Sequence, residues 1–543
     1  METVAALAAI RRAGSAAIRR SVVRSEDQRF AVADVPRLPQ TGLRGAAIVA
    51  SAVLAIVVDQ TSSAIASVGL PYLSGIVAAS PDESTWILTA FNTAYYAMIL
   101  MSPWMMARIG RTRLMLGSLL GFAAVSTALA SVSEYHAFVA LRFVQGAFLG
   151  CIYVPAALLF FTSLPTRALR YAPPIFVLLS LSAATLGTVI GASVAERFGG
   201  GTIFVPGAIA TLVTALAIRL TVRAKDAPQR TLVFDGVGLA LSLAAFGALQ
   251  FLANEGERRN WFDDPVVIAV AMLLACALPA FVLYESTLTR YPHVDFRMFA
   301  RYRNLAIGGI VSVTIGFVGY AVTLYIGFLE IVLGATPTEA GAAVLVRVLA
   351  YGVGVPLAFA LIVRKIVDLR IVVAVGAVGS AFGLIAFSHA MTSTAEIGSF
   401  ALMSLAFGLF FGMMNQPMGT LVIGSMPLDL LAAGVSVYKL SAPLGAMIGS
   451  AVVGTLLDHR TAAFRSAIAG QITLGSAPID AYLRAHRGSA AGLGAIVAVQ
   501  AQTLAYADLT ALLGLVVLLV IPVVVFARVA PPTPPPPSPP RTT

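Results

Sequence analysis

Apolar runs of roughly 20 residues, separated by short polar breaks, fill the chain from about residue 45 to 528. At about 1.5 Å rise per residue, such a run matches a hydrocarbon core about 30 Å thick. The block from Trp86 to Pro155 sets the pattern. It reads WILTAFNTAYYAMILMSPWMMARIGRTRLMLGSLLGFAAVSTALA, a break SVSEYH, then AFVALRFVQGAFLGCIYVPAALLFF. Length and flanks predict about fourteen spans, within 46–70, 86–106, 113–132, 137–161, 172–195, 202–221, 236–253, 265–284, 305–333, 339–363, 370–390, 397–423, 431–457 and 505–527. The fold class expected is an all-α polytopic membrane protein.

Composition agrees. Hydrophobic residues make up 58% of the 543, charged residues 11%, and mean hydropathy is +0.89, too apolar for a soluble core of this size. The net charge of +11 sits in short connections rather than on one face, which fits the positive-inside rule better than nucleic acid. Arg108, Arg111 and Arg113, then Arg167 and Arg170, Arg223, Lys225 and Arg230, Arg297, Arg301 and Arg303, and Arg364, Lys365 and Arg370 all fall on one side. An even span count then puts both termini in the cytoplasm. Residues 1–44 form a basic tail, readable as an amphipathic surface helix or a loosely ordered segment, and show no signal peptide. Residues 458–503 form an external loop with alanine-rich helical stretches, and the Pro-rich tail 530–543 a short polyproline rod. Cys151 and Cys276 lie in apolar runs, so neither a disulfide framework nor a thiolate metal site is expected. Histidines 136, 293, 389, 459 and 486 show no ligand spacing, and no metal or cofactor is expected.

Charge inside the membrane is costly and marks function by default. Asp59 lies near mid-depth of the first span, either exchanging a proton or packing helices with a bond from Gln60 or Thr61. Arg142, Gln145 and Gly146 share one face of the fourth span; Arg142 either turns inward or snorkels to the interface. Arg347 and Lys439 sit near mid-depth and Glu330 near an outer end. They either hold an anionic substrate or, for Glu330 and Arg347, form a structural pair. Asn415 and Gln416 precede Pro417, which reads as a kink or a substrate contact. Gly187 and Gly191 allow close helix packing. Tyr95, Tyr96 and several methionines suit a pliable apolar pocket.

PWMMARIGRTRL at 103–114, carrying Arg108, Gly110, Arg111 and Arg113, resembles the conformational loop between helices two and three of the major facilitator superfamily. LRFVQG at 141–146 resembles its helix-four motif. DESTWILTAFNTAYY at 82–96, FDGVGLALSLAAFGALQFLANEGERRNWF at 234–262, PHVDFRMFARYRNLAIG at 292–308 and GFLEIVLGATPTEAG at 327–341 are similar to the fourteen-span EmrB/QacA-type drug:proton antiporters. The resemblance implies two six-helix bundles, 45–223 and 299–529, with two additional helices in 224–298. Departures mark a divergent member. Ala107 stands where the loop carries aspartate, Gly187 to Ala192 replaces the antiporter motif, Ser62 takes the helix-one aspartate's place with Asp59 one turn earlier, and Ala442 replaces an arginine one turn after Lys439.

The resemblance implies a secondary active transporter that exports amphipathic drugs or other small organic molecules across the bacterial inner membrane by proton antiport. Asp59 and Arg142 would couple the proton, and Gln145, Glu330, Arg347, Asn415, Gln416 and Lys439 would line the cavity. Its partners would be the substrate, protons, the lipid bilayer and, in a double-membrane bacterium, a periplasmic adaptor and outer-membrane channel. The rivals are an importer or facilitator for an organic anion and a non-transporting membrane sensor or enzyme. No serine–histidine or paired-carboxylate spacing supports an enzyme, and no G-x-x-x-x-G-K-[ST] supports ATP use.

Overall fold

The computed structural model describes residues 42–527 apart from 69, 166–167, 169–170, 223–233, 290–291, 428–429, 473–480 and 482–489. The basic tail up to residue 41, the Pro-rich tail, the loop cations Arg167, Arg170, Arg223, Lys225 and Arg230, and residues 473–480 and 482–489 of the external loop therefore lie outside the described residues. Among the described residues the regular structure is helical.

The chain runs α1 Leu43–Val68, α2 Leu70–Ile76, α3 Pro81–Ile109, α4 Arg111–Leu129, α5 Tyr135–Ser163, α6 Ala172–Phe198, α7 Val205–Thr221, α8 Gly236–Glu255 and α9 Pro265–Leu283. It continues with α10 Arg297–Arg301, α11 Arg303–Gly319, α12 Ala321–Gly327, α13 Pro337–Val363, α14 Leu369–Ala390, α15 Ala401–Ser425, α16 Leu431–Gln471, α17 Ala490–Val517 and α18 Val520–Val525. Twelve stretches of described residues are long and apolar enough to cross a membrane. Two more helices of spanning length, α3 with 29 residues and α6 with 27, fall on the remaining two predicted spans. This is a multi-pass membrane protein.

One span differs from expectation in length, and two places show local detail. The ninth span runs over Arg303–Val332 as expected, with a helical turn at Tyr320 between α11 and α12 and a π-helical turn at Phe328–Val332. Helix α16 does not stop at residue 457 but runs 41 residues to Gln471, about 60 Å of helix against a core of about 30 Å. The segment 458–503 is helical at both ends, in keeping with its alanine-rich stretches, and Arg460 Nε lies 3.4 Å from Asp508 Oδ2 on α17. Between α3 and α4 stands a single residue, Gly110, whose φ of 101° is open to glycine and strained for other residues.

The chain divides into two compact units. One takes the chain up to Arg297 with Met426–Val437, the other Met298–Ser425 with the chain from Tyr438. Each is closed by the same device. In the first unit Gly146 and Gly150 of α5 press on the carbonyls of Phe91 and Tyr95 in α3, so an added Cβ would collide with Phe91 O and come within 2.5 Å of Tyr95 O. In the second, Gly408 and Gly412 of α15 press on the carbonyls of Arg347 and Tyr351 in α13, the latter at 2.6 Å. Gly187 and Gly191 lie against Thr61 and Ile65 of α1, as Gly445 and Gly449 lie against Val313 and Phe317 of α11.

The starts of α3 and α13 match as well. Ser80 and Glu83 form a capping box ahead of α3, and Thr336 and Glu339 form one ahead of α13, each with proline in the first turn. Counting from either cap, Phe91 corresponds to Arg347 and Tyr95 to Tyr351. The glycines under those carbonyls give the same register independently.

Gly146→Ala should cost about 1–3 kcal/mol by overpacking, read as a lower melting temperature of the detergent-solubilised protein. Gly117→Ala, whose Cβ would meet nothing within 4 Å, should leave it unchanged. Equal melting temperatures for the two variants would refute the tight α3–α5 seam.

Candidate functional site

In the first unit the buried polar groups gather on α3. Asp59 of α1 is fully buried and accepts from Tyr95 Oη at 3.0 and 3.1 Å to its two oxygens. Thr61 donates to Ala183 O at 3.0 Å, tying α1 to α6 rather than capping the acid. Tyr95 stacks on Phe91, one turn earlier, with centroids 5.9 Å apart and planes 11° off parallel. Against Phe91 sits Arg142 of α5, its Cζ 4.2 Å from the Phe91 centroid and 5.6 Å from that of Phe204. The acid and the arginine are therefore linked through two stacked rings.

Arg142 is 1% exposed and donates through Nη1 to Gln145 Oε1, while Gln145 Nε2 donates to Ser126 Oγ at 2.8 Å. Its Nε and Nη2 have no hydrogen-bond partner among the described residues. An arginine inside a membrane span costs up to about 2.5–3.5 kcal/mol on insertion scales, the upper figure at the helix centre. A desolvated cation–π contact returns about 2 kcal/mol and a hydrogen bond from a charged donor about 1.5–3 kcal/mol, so rings and amide together can hold it. A cavity of about 10 Å³, room for one water, is lined by Arg142, Gln145, Ser126 and Ser62. An acid at position 62 would share that cavity with Arg142. Asp59, one turn earlier, meets Tyr95 instead.

The second unit carries its own buried arginine in the same layer, on the opposite helix of the pair. Arg347 occupies on α13 the place that Phe91 holds on α3, and Ser404 on α15 the place of Arg142. The Arg347 Cζ lies 4.7 Å from the Phe407 centroid, 4.8 Å from Tyr325 and 5.7 Å from Phe387. The Glu330–Arg347 pair does not form. Three rings enclose the guanidinium, and Glu330 lies half-buried in the π-helical turn. One turn on, Tyr351 Oη accepts from Asn415 Nδ2 at 2.8 Å. Lys439 is half-buried on α16, and the Gln416 side chain lies outside the described residues.

The basic turn is partly anchored: Arg111 Nη1 lies 3.4 Å from Thr162 Oγ1 near the end of α5, while Arg108 is half-buried and Arg113 exposed. His293 does not stand alone, contrary to its spacing. The fold brings it beside Asp235 and Glu285, residues some 60 and 10 positions away that spacing rules do not test. Sequence reasoning also left out the tie from Tyr95 to Asp59. The available signal was that a tyrosine hydroxyl buried in apolar surroundings needs a partner.

The profile of the Major Facilitator Superfamily matches residues 52–329, which hold Asp59, Tyr95 and Arg142. The chain belongs to the major facilitator superfamily. Among curated relatives of this superfamily member, the multidrug export protein EmrB of Escherichia coli (strain K12) is 27% identical over 312 residues, 56% of this chain and 60% of EmrB. The fatty acid resistance protein FarB of Neisseria gonorrhoeae is 26% identical over 306 residues, 55% of this chain and 60% of FarB. The chain thus spans about three fifths of the length of these relatives. The solved human organic anion transporter MFSD10 is 12% identical with a TM-score of 0.54, covering 88% of this chain and 100% of its own, a likeness of fold.

Tyr95→Phe should destabilise this superfamily member by about 1–3 kcal/mol, because Asp59 loses a donor in the low-dielectric interior. Thermal unfolding in detergent measures it, with Tyr96→Phe as the control at the neighbouring, half-buried ring. A Tyr95→Phe loss no larger than that of Tyr96→Phe would dissolve the Asp59–Tyr95 link.

Proposed function

We propose that this chain is a secondary active transporter of the bacterial inner membrane, not an enzyme, that exports amphipathic small organic molecules in exchange for protons. The observation that carries this reading is Asp59: a fully buried carboxylate bonded to Tyr95, on the ring pair that also supports Arg142. The similarity to EmrB and FarB supports efflux as the direction. Protonating Asp59 removes a buried negative charge and weakens its hold on the Tyr95 hydroxyl. Because Tyr95 stacks on the ring beneath Arg142, the change reaches the α3–α5 seam without a direct ion pair. The substrate must bind the two protonation states with different affinity, or no exchange follows.

Both termini lie in the cytoplasm in this reading, and residues 45–223 and 299–529 form the two bundles, with α8 and α9 added between them in the chain. Gln145, Glu330, Arg347, Asn415, Gln416 and Lys439 serve as the candidate cavity residues. A periplasmic adaptor would meet the helical extension of α16 beyond residue 457, and an outer-membrane channel would continue the path. A second reading, movement of an organic anion, is favoured by the unpartnered N–H groups on Arg142 and Arg347.

In inside-out vesicles, wild-type protein should export a fluorescent amphipathic cation when a proton gradient is imposed. Asp59→Asn should abolish the gradient dependence while expression and insertion stay unchanged. Full gradient-driven export by Asp59→Asn would overturn the coupling assignment, and transport of an anion independent of the gradient would select the second reading.

A further inference from the structure

A second buried polar cluster lies at the ends of the two added helices, away from Asp59 and Arg142. Asp235 caps the start of α8, and its Oδ1 accepts from Gly238 N at 2.8 Å and from Tyr284 Oη at 3.0 Å. Glu285 sits in a π-helical turn, Tyr284–Leu288, that ends α9, and its Oε2 accepts from Val294 N at 3.2 Å. His293 Nδ1 lies 3.4 Å from Glu285 Oε1, and the ring packs edge-on against Trp104 of α3. The three residues are 8%, 1% and 5% exposed, and a ligand atom from each falls within 4.8 Å of the others.

Apart from that His293–Glu285 approach, each of the three keeps an atom without a hydrogen bond. Asp235 Oδ2, Glu285 Oε1 and His293 Nε2 have no hydrogen-bond partner among the described residues. Asp235 and Glu285 each have one oxygen fixed by backbone or tyrosine donors, the arrangement that orients metal ligands from behind. Gly238 keeps the space open: an added Cβ would collide with Glu285 Oε1 and lie 2.9 Å from Asp235 Oδ2. No arginine or lysine among the described residues pairs with either carboxylate. Two carboxylates buried together with only one imidazole beside them cost several kcal/mol, and a doubly charged cation cancels that charge while taking one ligand atom from each residue.

We propose that Asp235, Glu285 and His293 form a binding site for a divalent transition-metal ion of the zinc type. Two carboxylate oxygens and one imidazole nitrogen, with no sulfur, suit Zn²⁺ held by three protein ligands and a water. The ion ties three points of the chain together: the start of α8, the π-helical turn after α9 and the connector that leaves the first unit at Arg297. It is a fastening for that connector, distinct from the proton-exchanging group, and it does not rest on the transport reading.

The test uses full-length, tag-free protein in detergent, stripped with chelator, loaded with ZnCl₂ and desalted. Elemental analysis should find one zinc per chain in the wild type and in His459→Ala, with a melting temperature several degrees above the stripped protein. Glu285→Gln and His293→Ala should lose both. His293→Cys should keep binding and shift preference from Zn²⁺ toward the softer Cd²⁺ by roughly tenfold, which decides the matter even if Glu285→Gln fails to fold. Equal zinc content in wild type, Glu285→Gln and His293→Ala, or no retained zinc in the wild type, would overturn the site.

Discussion

The first unit depends on one constraint: an acid and a guanidinium buried in a low-dielectric interior are each in contact with one member of a pair of stacked rings. A direct pair would be deep in energy and slow to open, because in such surroundings the attraction between opposite charges is large. Here neither of these two charges is held by the other. Asp59 has the Tyr95 hydroxyl, and Arg142 has an amide and two ring faces. The rings sit on α3, and α3 is held against α5 by glycines under the carbonyls of those same two residues. Charge state and helix packing thus meet at Phe91 and Tyr95.

The second unit repeats the frame and changes its contents. The capping box, the glycine pair and the tyrosine keep their places, while the cation moves from α5 to α13 and is enclosed by three rings. No acid corresponds to Asp59; the matching position on α11 is Val311. One unit therefore carries a carboxylate and a cation on shared rings, the other a cation alone.

The helices were legible because nothing but length and apolarity decides a membrane span. Tyr320 and the π-helical turn lie inside a run whose hydropathy is continuous, and α16 outlasts its apolar stretch because alanine-rich sequence keeps helical preference outside lipid. Single charges such as Asp59 and Arg142 stood out against apolar neighbours. Their partners did not, because Tyr95, Phe91 and Gln145 are ordinary residues whose meaning comes from contacts across helices. The repeat was also present in the sequence, as S-P-x-E and T-P-x-E each followed at fixed distance by the ring-layer residue and a tyrosine. The Asp235, Glu285 and His293 cluster could not be found from spacing, since its members come from three separate segments.

Gly110 leaves almost no slack between α3 and α4. With one residue in the joint and its backbone already in a left-handed conformation, α3 cannot slide along its axis without pushing the first turn of α4 by a similar amount. A shift begun at the rings of Phe91 and Tyr95 would then leave the helix as a piston stroke at its far end. Arg111, the first residue past the joint and within 3.4 Å of Thr162, is where that stroke would be felt first.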